Sequence, residues 1–178
     1  ETPFSSRLAA PIAATVRLDD GAELDPVKAR MRDRFSQLAL FAANQAVTAA
    51  QGALDGIDRE RAGVFVGTGM GGTISMDGGY DTLYRQGSDR INPFTILLGM
   101  HNAAAAWIGI EHQLRGPNMT YSTACSSSAV AIGEAWLRVA CGQLEVAIAG
   151  GSEAPLSLGS LKAWEALHRV ATMDVEDP

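Results

Sequence analysis

The chain has 178 residues, enough for one domain with a sizeable core, and its 47% hydrophobic and 19% charged residues are the balance of a soluble globular protein. A net charge of -6 argues against non-specific nucleic-acid binding, while leaving room for a local basic dock for an acidic partner. Two cysteines make no disulfide framework, no apolar run approaches the roughly 20 residues of a membrane span, and Glu1-Thr2-Pro3-Phe4 does not open a signal peptide. A reducing cytoplasm is the expected location.

Residues 1–30 read as irregular, punctuated by Pro3, Pro11, Gly21 and Pro26, with a short edge strand over Ile12 to Leu18. From Arg32 to Leu54, Phe35, Leu38, Ala42, Ala46, Ala49 and Ala53 recur at spacings of three or four, which predicts a helix stopped near Gly56. Gly63-Val64-Phe65-Val66 reads as a buried strand, followed by the glycine-rich loop Gly67-Thr68-Gly69-Met70-Gly71-Gly72. Residues 73–92 are polar and interrupted by Gly78, Gly79 and Gly87, as in a surface helix and loop.

Pro93 to Ile110 is apolar and alanine-rich and predicts one buried helix. A turn at Arg115-Gly116-Pro117-Asn118 leads into a strand, Met119 to Thr123. The helix expected from Ser126 to Cys141 has Ala129, Ile132, Gly133, Trp136, Leu137 and Ala140 on one face, with Glu134 and Arg138 on the other. Leu144 to Ala149 is a further strand ending in Gly150-Gly151, and Pro155 to Leu167 a last helix or apolar segment. Strands alternating with helices define an α/β class with a largely parallel sheet.

Cys125 falls where a strand meets a helix. Unpaired N–H groups at a helix start favour an anion, which stabilises a thiolate and raises its nucleophilicity at neutral pH. Small neighbours leave the sulfur reachable. The alternative is that Cys125 is a small buried hydrophobe; Cys141, at the far end of the same helical pattern, reads as a core or helix-end residue. Gly67, Gly69 and Gly72 carry the Gly-x-Gly-x-x-Gly spacing of a dinucleotide loop. No strand precedes Asp89, the acidic residue at the expected distance, and Gly78-Gly79 breaks the expected crossover helix, so a turn allowing close packing is the competing reading. His101, His112 and His168 have no metal-ligand spacing with a cysteine or carboxylate, and no metal or other cofactor is expected.

Thr123-Ala124-Cys125-Ser126-Ser127-Ser128 resembles the nucleophile motif of β-ketoacyl-acyl-carrier-protein synthases, the condensing enzymes of fatty-acid and polyketide synthesis. Asp33-Arg34-Phe35, Val66 to Gly72, Asn92-Pro93-Phe94, Leu114 to Asn118 and Ala149 to Ala154 resemble further blocks of that family in the same order. The resemblance runs from about Ala9 to Pro178. It implies half of a thiolase-like, five-layer αβαβα fold, a single N-terminal-type domain over residues 1–178 without the family's first strand or its C-terminal half. It also implies a homodimer.

The resemblance further implies that Cys125 accepts an acyl group from an acyl carrier protein, with its backbone N–H in the oxyanion hole. Malonyl-carrier protein would then decarboxylate and attack that thioester. Met70, Phe94 and Thr95 would border the acyl pocket; Thr95 stands where the family often has a second phenylalanine, and core filling is the alternative for Met70. Arg90, with Lys28, Arg30 and Arg32, would dock the acidic carrier protein, against the plainer reading of solvated surface charge. The family's two catalytic histidines and its lysine lie in C-terminal motifs that this chain does not contain, so the isolated 178 residues are expected not to complete the condensation. A non-catalytic scaffold or acyl-binding half of a synthase is the alternative, alongside dinucleotide binding at Gly67 to Gly72.

Overall fold

Three parallel strands carry the architecture of this computed structural model, which describes residues 5–9, 13–16 and 26–167. Strand β1 (Ala62–Gly67) is central, with β2 (Asn118–Tyr121) on one side and β3 (Val146–Gly151) on the other. Gly67 pairs in register with Tyr121 and with Gly151, so all three strands end at the same level. Every residue of β1 is buried, which fits a central strand covered on both faces. Alternation along β1 sends Val64 and Val66 into one cluster and Phe65 into the other.

On the first face lie two helices, α2 (Arg34–Ala49) and α5 (Ala103–Glu111), whose Phe35, Leu40, Ala104 and Ile108 pack with Val64 and Val66. On the second face lies α6 (Ser127–Ala140), packed through Ala131 and Ala135 on Phe65 and Leu144. A fully buried side chain the size of Phe35 or Phe65 contributes about 1.5–3 kcal/mol through its removal from water. The remaining helices are short: α1 (Pro26–Ala29), α3 (Thr73–Tyr80), α4 (Thr95–Gly99) and α7 (Leu158–Ala166).

Asp33 fixes the start of α2. One carboxylate oxygen accepts from the Phe35 N–H at 3.2 Å, and the other accepts from the Ser75 N–H at 2.8 Å and the Ser75 hydroxyl at 2.6 Å. The helix therefore begins at Arg34 rather than at Arg32, and α3 is tied to its first turn. It ends short of Leu54, because Gln51 (φ 42°) and Gly52 (φ 87°) turn into the left-handed region. The expected strand from Ile12 to Leu18 falls partly outside the described residues, and residues 13–16 form no strand.

The single helix expected over Pro93 to Ile110 is two. Met100 is extended (ψ 133°) and separates α4 from α5. Gly99 and the polar pair His101-Asn102 flank that break within an otherwise apolar stretch, and Ile96 and Leu97 of α4 are exposed. Helix α6, expected as a buried helix carrying the nucleophile, is buried only along its sheet side. Its broad apolar stripe, with Ile132 at 52%, Trp136 at 69% and Leu137 at 49% exposure, points away from the sheet. Small Ala131 and Ala135 make the sheet contact, and Arg138 lies over the Phe65 ring with its guanidinium carbon 5.8 Å from the centroid. Periodicity locates a helix face without saying what that face meets.

Candidate active site

The C-terminal ends of β1, β2 and β3 converge beneath the start of α6. After Tyr121 the chain makes a tight turn in which Ala124 takes a left-handed conformation (φ 53°), unusual for a residue with a Cβ. Cys125 follows and is exposed, and the first helical residue is Ser127. The sulfur thus stands at the strand–helix junction, two residues before the helix proper, on the side favourable to an anion.

Two glycines seat this turn on the sheet. A Cβ on Gly67 would fall within the backbone of Ser127 and Ser128, and one on Gly151 would lie 2.5 Å from the Ser128 Cβ. Any larger residue at either strand end would lift the helix start. Ser127 itself is buried, its hydroxyl accepting from the Thr123 N–H at 2.8 Å and donating to the Ala124 carbonyl at 2.6 Å.

A cleft of about 460 Å³ opens beside the cysteine, bordered by Met70, Cys125, Ser128, Glu153, Pro155 and Trp164. Glu153 organises its floor. One carboxylate oxygen accepts from the Gly69 N–H at 2.6 Å and the Met70 N–H at 3.1 Å, and the other from the Thr68 hydroxyl at 3.2 Å. The turn amides that a dinucleotide fingerprint would offer to a pyrophosphate already hold an anion from the chain itself. Asp89 lies in a loop without a preceding strand. The dinucleotide expectation does not fit this geometry, and the close-packing reading of the glycines does.

The other expected residues are scattered around this centre. Met70 shares the cleft with Cys125. Thr95 is buried on α4 against Gly79 of α3, while Phe94 is exposed at the start of α4; neither borders the cleft. Arg90, Lys28 and Arg30 are exposed. Arg32 is not available for docking: it is 5% exposed, its guanidinium carbon lies 4.5 Å from the Trp107 ring centroid, and it sits 3.6 Å from the Glu111 carboxylate. There it anchors the entry to α2 against α5.

Among the described residues, none bordering the cleft is a histidine. His101 places Nε2 3.3 Å from the Gly69 carbonyl oxygen. His112 caps the end of α5, where burial pushes its imidazole below its ordinary value of 6.5 and Arg59 adds to the effect, against the opposing charge of Glu111. His168 lies outside the described residues. Among the described residues, no three His, Cys, Asp or Glu side chains come together to hold a metal, and no helix is long and apolar enough to cross a membrane. Trp164 joins the site from outside every motif read in the sequence, while Ser127 and Glu153 fall within blocks that carry the family resemblance but had no individual role there. Glu153 had one local signal, an acidic residue two positions after a strand ending in Gly-Gly.

A parallel sheet whose glycine ends carry a cysteine turn and a helix over one face defines a thiolase-like α/β half-domain. The sequence matches "Beta-ketoacyl synthase, N-terminal domain" over residues 6–178, and the chain belongs to the β-ketoacyl synthase family. It is 36% identical over 181 residues to 3-oxoacyl-(acyl-carrier-protein) synthase 2 of Rhizobium meliloti (strain 1021), covering 96% of this chain and 43% of that protein. It is also 36% identical over 160 residues to Nodulation protein E of the same strain, covering 90% and 40%. Among solved structures, it superimposes with a TM-score of 0.79 and 23% identity on a ketosynthase in complex with its type II PKS acyl-carrier protein and bound to the hexaketide. That likeness covers 91% of this chain and 47% of the other. The chain thus spans less than half the length of these relatives.

Proposed function

We propose that this chain is the nucleophile-bearing part of a β-ketoacyl-acyl-carrier-protein synthase, active in fatty-acid or polyketide chain elongation. The observation that carries the reading is Cys125, exposed on a left-handed turn at the head of α6 and bordering an open cleft, in a chain of this family. The Cys125 thiolate attacks the carbonyl of an acyl-carrier-protein thioester. The carbon–sulfur bond to the carrier breaks, and the departing thiolate takes a proton. In the second half-reaction, malonyl-carrier protein loses carbon dioxide. The electron pair of that broken carbon–carbon bond attacks the acyl–Cys125 carbonyl, forming the new carbon–carbon bond and returning the thiolate. The Cys125 N–H serves as one oxyanion donor.

Exposed Arg90, Lys28 and Arg30 are the proposed contacts for the acidic carrier protein. The outward apolar stripe of α6 is the surface on which the second half of the five-layer architecture would pack, and it supports the view that decarboxylation needs groups outside these 178 residues. The proposal includes a cytoplasmic homodimer. Incubation with an acyl-carrier-protein thioester, followed by mass spectrometry of the Cys125 peptide, tests the reading. An acyl adduct on Cys125 that disappears in Cys125→Ala is expected; a wild-type chain that stays unacylated at this position overturns it.

A further inference from the structure

Ala124 holds a backbone conformation that a Cβ disfavours, so something in its surroundings must hold it there (φ 53°). The Ser127 hydroxyl is the group placed to do so. It accepts from the Thr123 N–H at 2.8 Å and donates to the Ala124 carbonyl at 2.6 Å, thereby bracketing the strained residue from both sides. The Ser127 side chain is buried, with only 4% of the residue exposed, so water does not readily replace it. Ser126 closes the same turn from outside, its hydroxyl donating to the Thr123 carbonyl at 2.7 Å.

The Ala124 carbonyl and the Cys125 N–H belong to one planar trans peptide and point in opposite directions. Holding the carbonyl against the helix start therefore turns the Cys125 N–H away from it. The Ser127 N–H also donates to this carbonyl, at 3.1 Å. The hydroxyl's unshared contribution is the link back to Thr123, which keeps the turn from relaxing.

We infer that Ser127 is a positioning residue for the nucleophile: its buried hydroxyl staples Thr123 to Ala124 and sets the direction of the Cys125 peptide. This rests on the reading of Cys125 as the acyl acceptor, and deepens it by naming what orients that group.

A matched pair of variants isolates the hydroxyl. Ser127→Thr keeps it, and Ser127→Val has nearly the same shape without it, so packing effects cancel between them. Both are made in the full chain carrying Cys141→Ser, so that alkylation by iodoacetamide reports on Cys125 alone. The threonine variant should alkylate about tenfold faster than the valine variant. Amide exchange at Thr123 should be slow in the threonine variant and fast in the valine one. Ala124→Gly, which removes the left-handed penalty, should recover most of the lost rate in the Ser127→Val background. Equal alkylation and equal Thr123 exchange in the matched pair overturn the inference, as does a valine defect that Ala124→Gly leaves untouched. Alkylation needs no acyl donor. Wild-type protein that takes no acyl group but preserves this ordering refutes the synthase reading and leaves the staple standing; acylated wild type without the ordering does the reverse.

Discussion

Replacing Gly67 by alanine probes the seat of the nucleophile turn. The new methyl would enter the space of the Ser127 carbonyl and the Ser128 nitrogen. Main-chain atoms of a helix start cannot rotate aside as the end of a long side chain can. Restoring an ordinary separation of 3.4–4 Å requires α6 to withdraw by on the order of 1 Å at its first turn. Overpacking of this kind costs about 2 kcal/mol, which in a chain of this size lowers Tm by about 4–8 °C. A shift of that size at a reacting group also costs about a hundredfold in rate. Thermal melts and the rate of Cys125 acylation or alkylation read the two effects separately. The control is Gly78→Ala in α3, where an added Cβ meets nothing within 4 Å. That change removes chain entropy from the unfolded state and should stabilise by about 0.5–1 kcal/mol with no effect on Cys125. If Gly67→Ala melts and reacts like wild type, the claim that the strand ends set the nucleophile's height is wrong.

Removing the Glu153 carboxylate should loosen the loop that bears Met70. Glu153→Ala deletes the acceptor for Gly69, Met70 and Thr68, and because the carboxylate is exposed, a stability loss of about 1–2 kcal/mol is expected rather than the full worth of its charge-assisted bonds. Hydrogen exchange at Gly69 and Met70 should rise; unchanged protection there would show that the clamp holds nothing. His112 predicts a pH effect. Its folded-state pKa lies below the ordinary 6.5, so as pH falls through that value the unfolded chain takes up the proton first and stability drops with acid. At pH 7.5 the imidazole is neutral in both states and contributes no slope. His112→Gln should therefore lose less Tm than wild type between pH 7.5 and pH 5.5; identical losses would remove His112 from the acid response.

The parts of the fold governed by local chemistry were legible from the sequence. The i, i+3/i+4 apolar series from Arg32 marks the start of α2 to within two residues but runs five past its end at Ala49, and Val64 to Val66 between glycines marks β1 within one residue at each end. The cysteine turn was legible for the same reason, since small residues between a strand and an amphipathic series leave few alternatives. What the sequence concealed depends on distant neighbours. The Glu153 contact spans 83 to 85 residues, and no local pattern reports an amide waiting that far upstream. The left-handed Ala124 was also hidden, because nothing in its own side chain favours that conformation. The break at Met100 carried a partial signal, Gly99 before it and polar His101-Asn102 after it, which the alanine-rich stretch around them outweighs. The outward stripe of α6 illustrates the general case, because hydrophobic spacing fixes which residues share a side but leaves the identity of their neighbour undetermined.

The seat formed by Gly67 and Gly151 has a further consequence. Because the first turn of α6 rests on main chain, the altitude of the sulfur is a property of peptide geometry and owes little to the hydrocarbon beneath it. Exchanging Val64 or Val66 for isoleucine would alter the opposite side of the sheet and leave that platform level. The interior of this protein can thus tolerate chemical variation that two hydrogen atoms, one on each glycine, cannot.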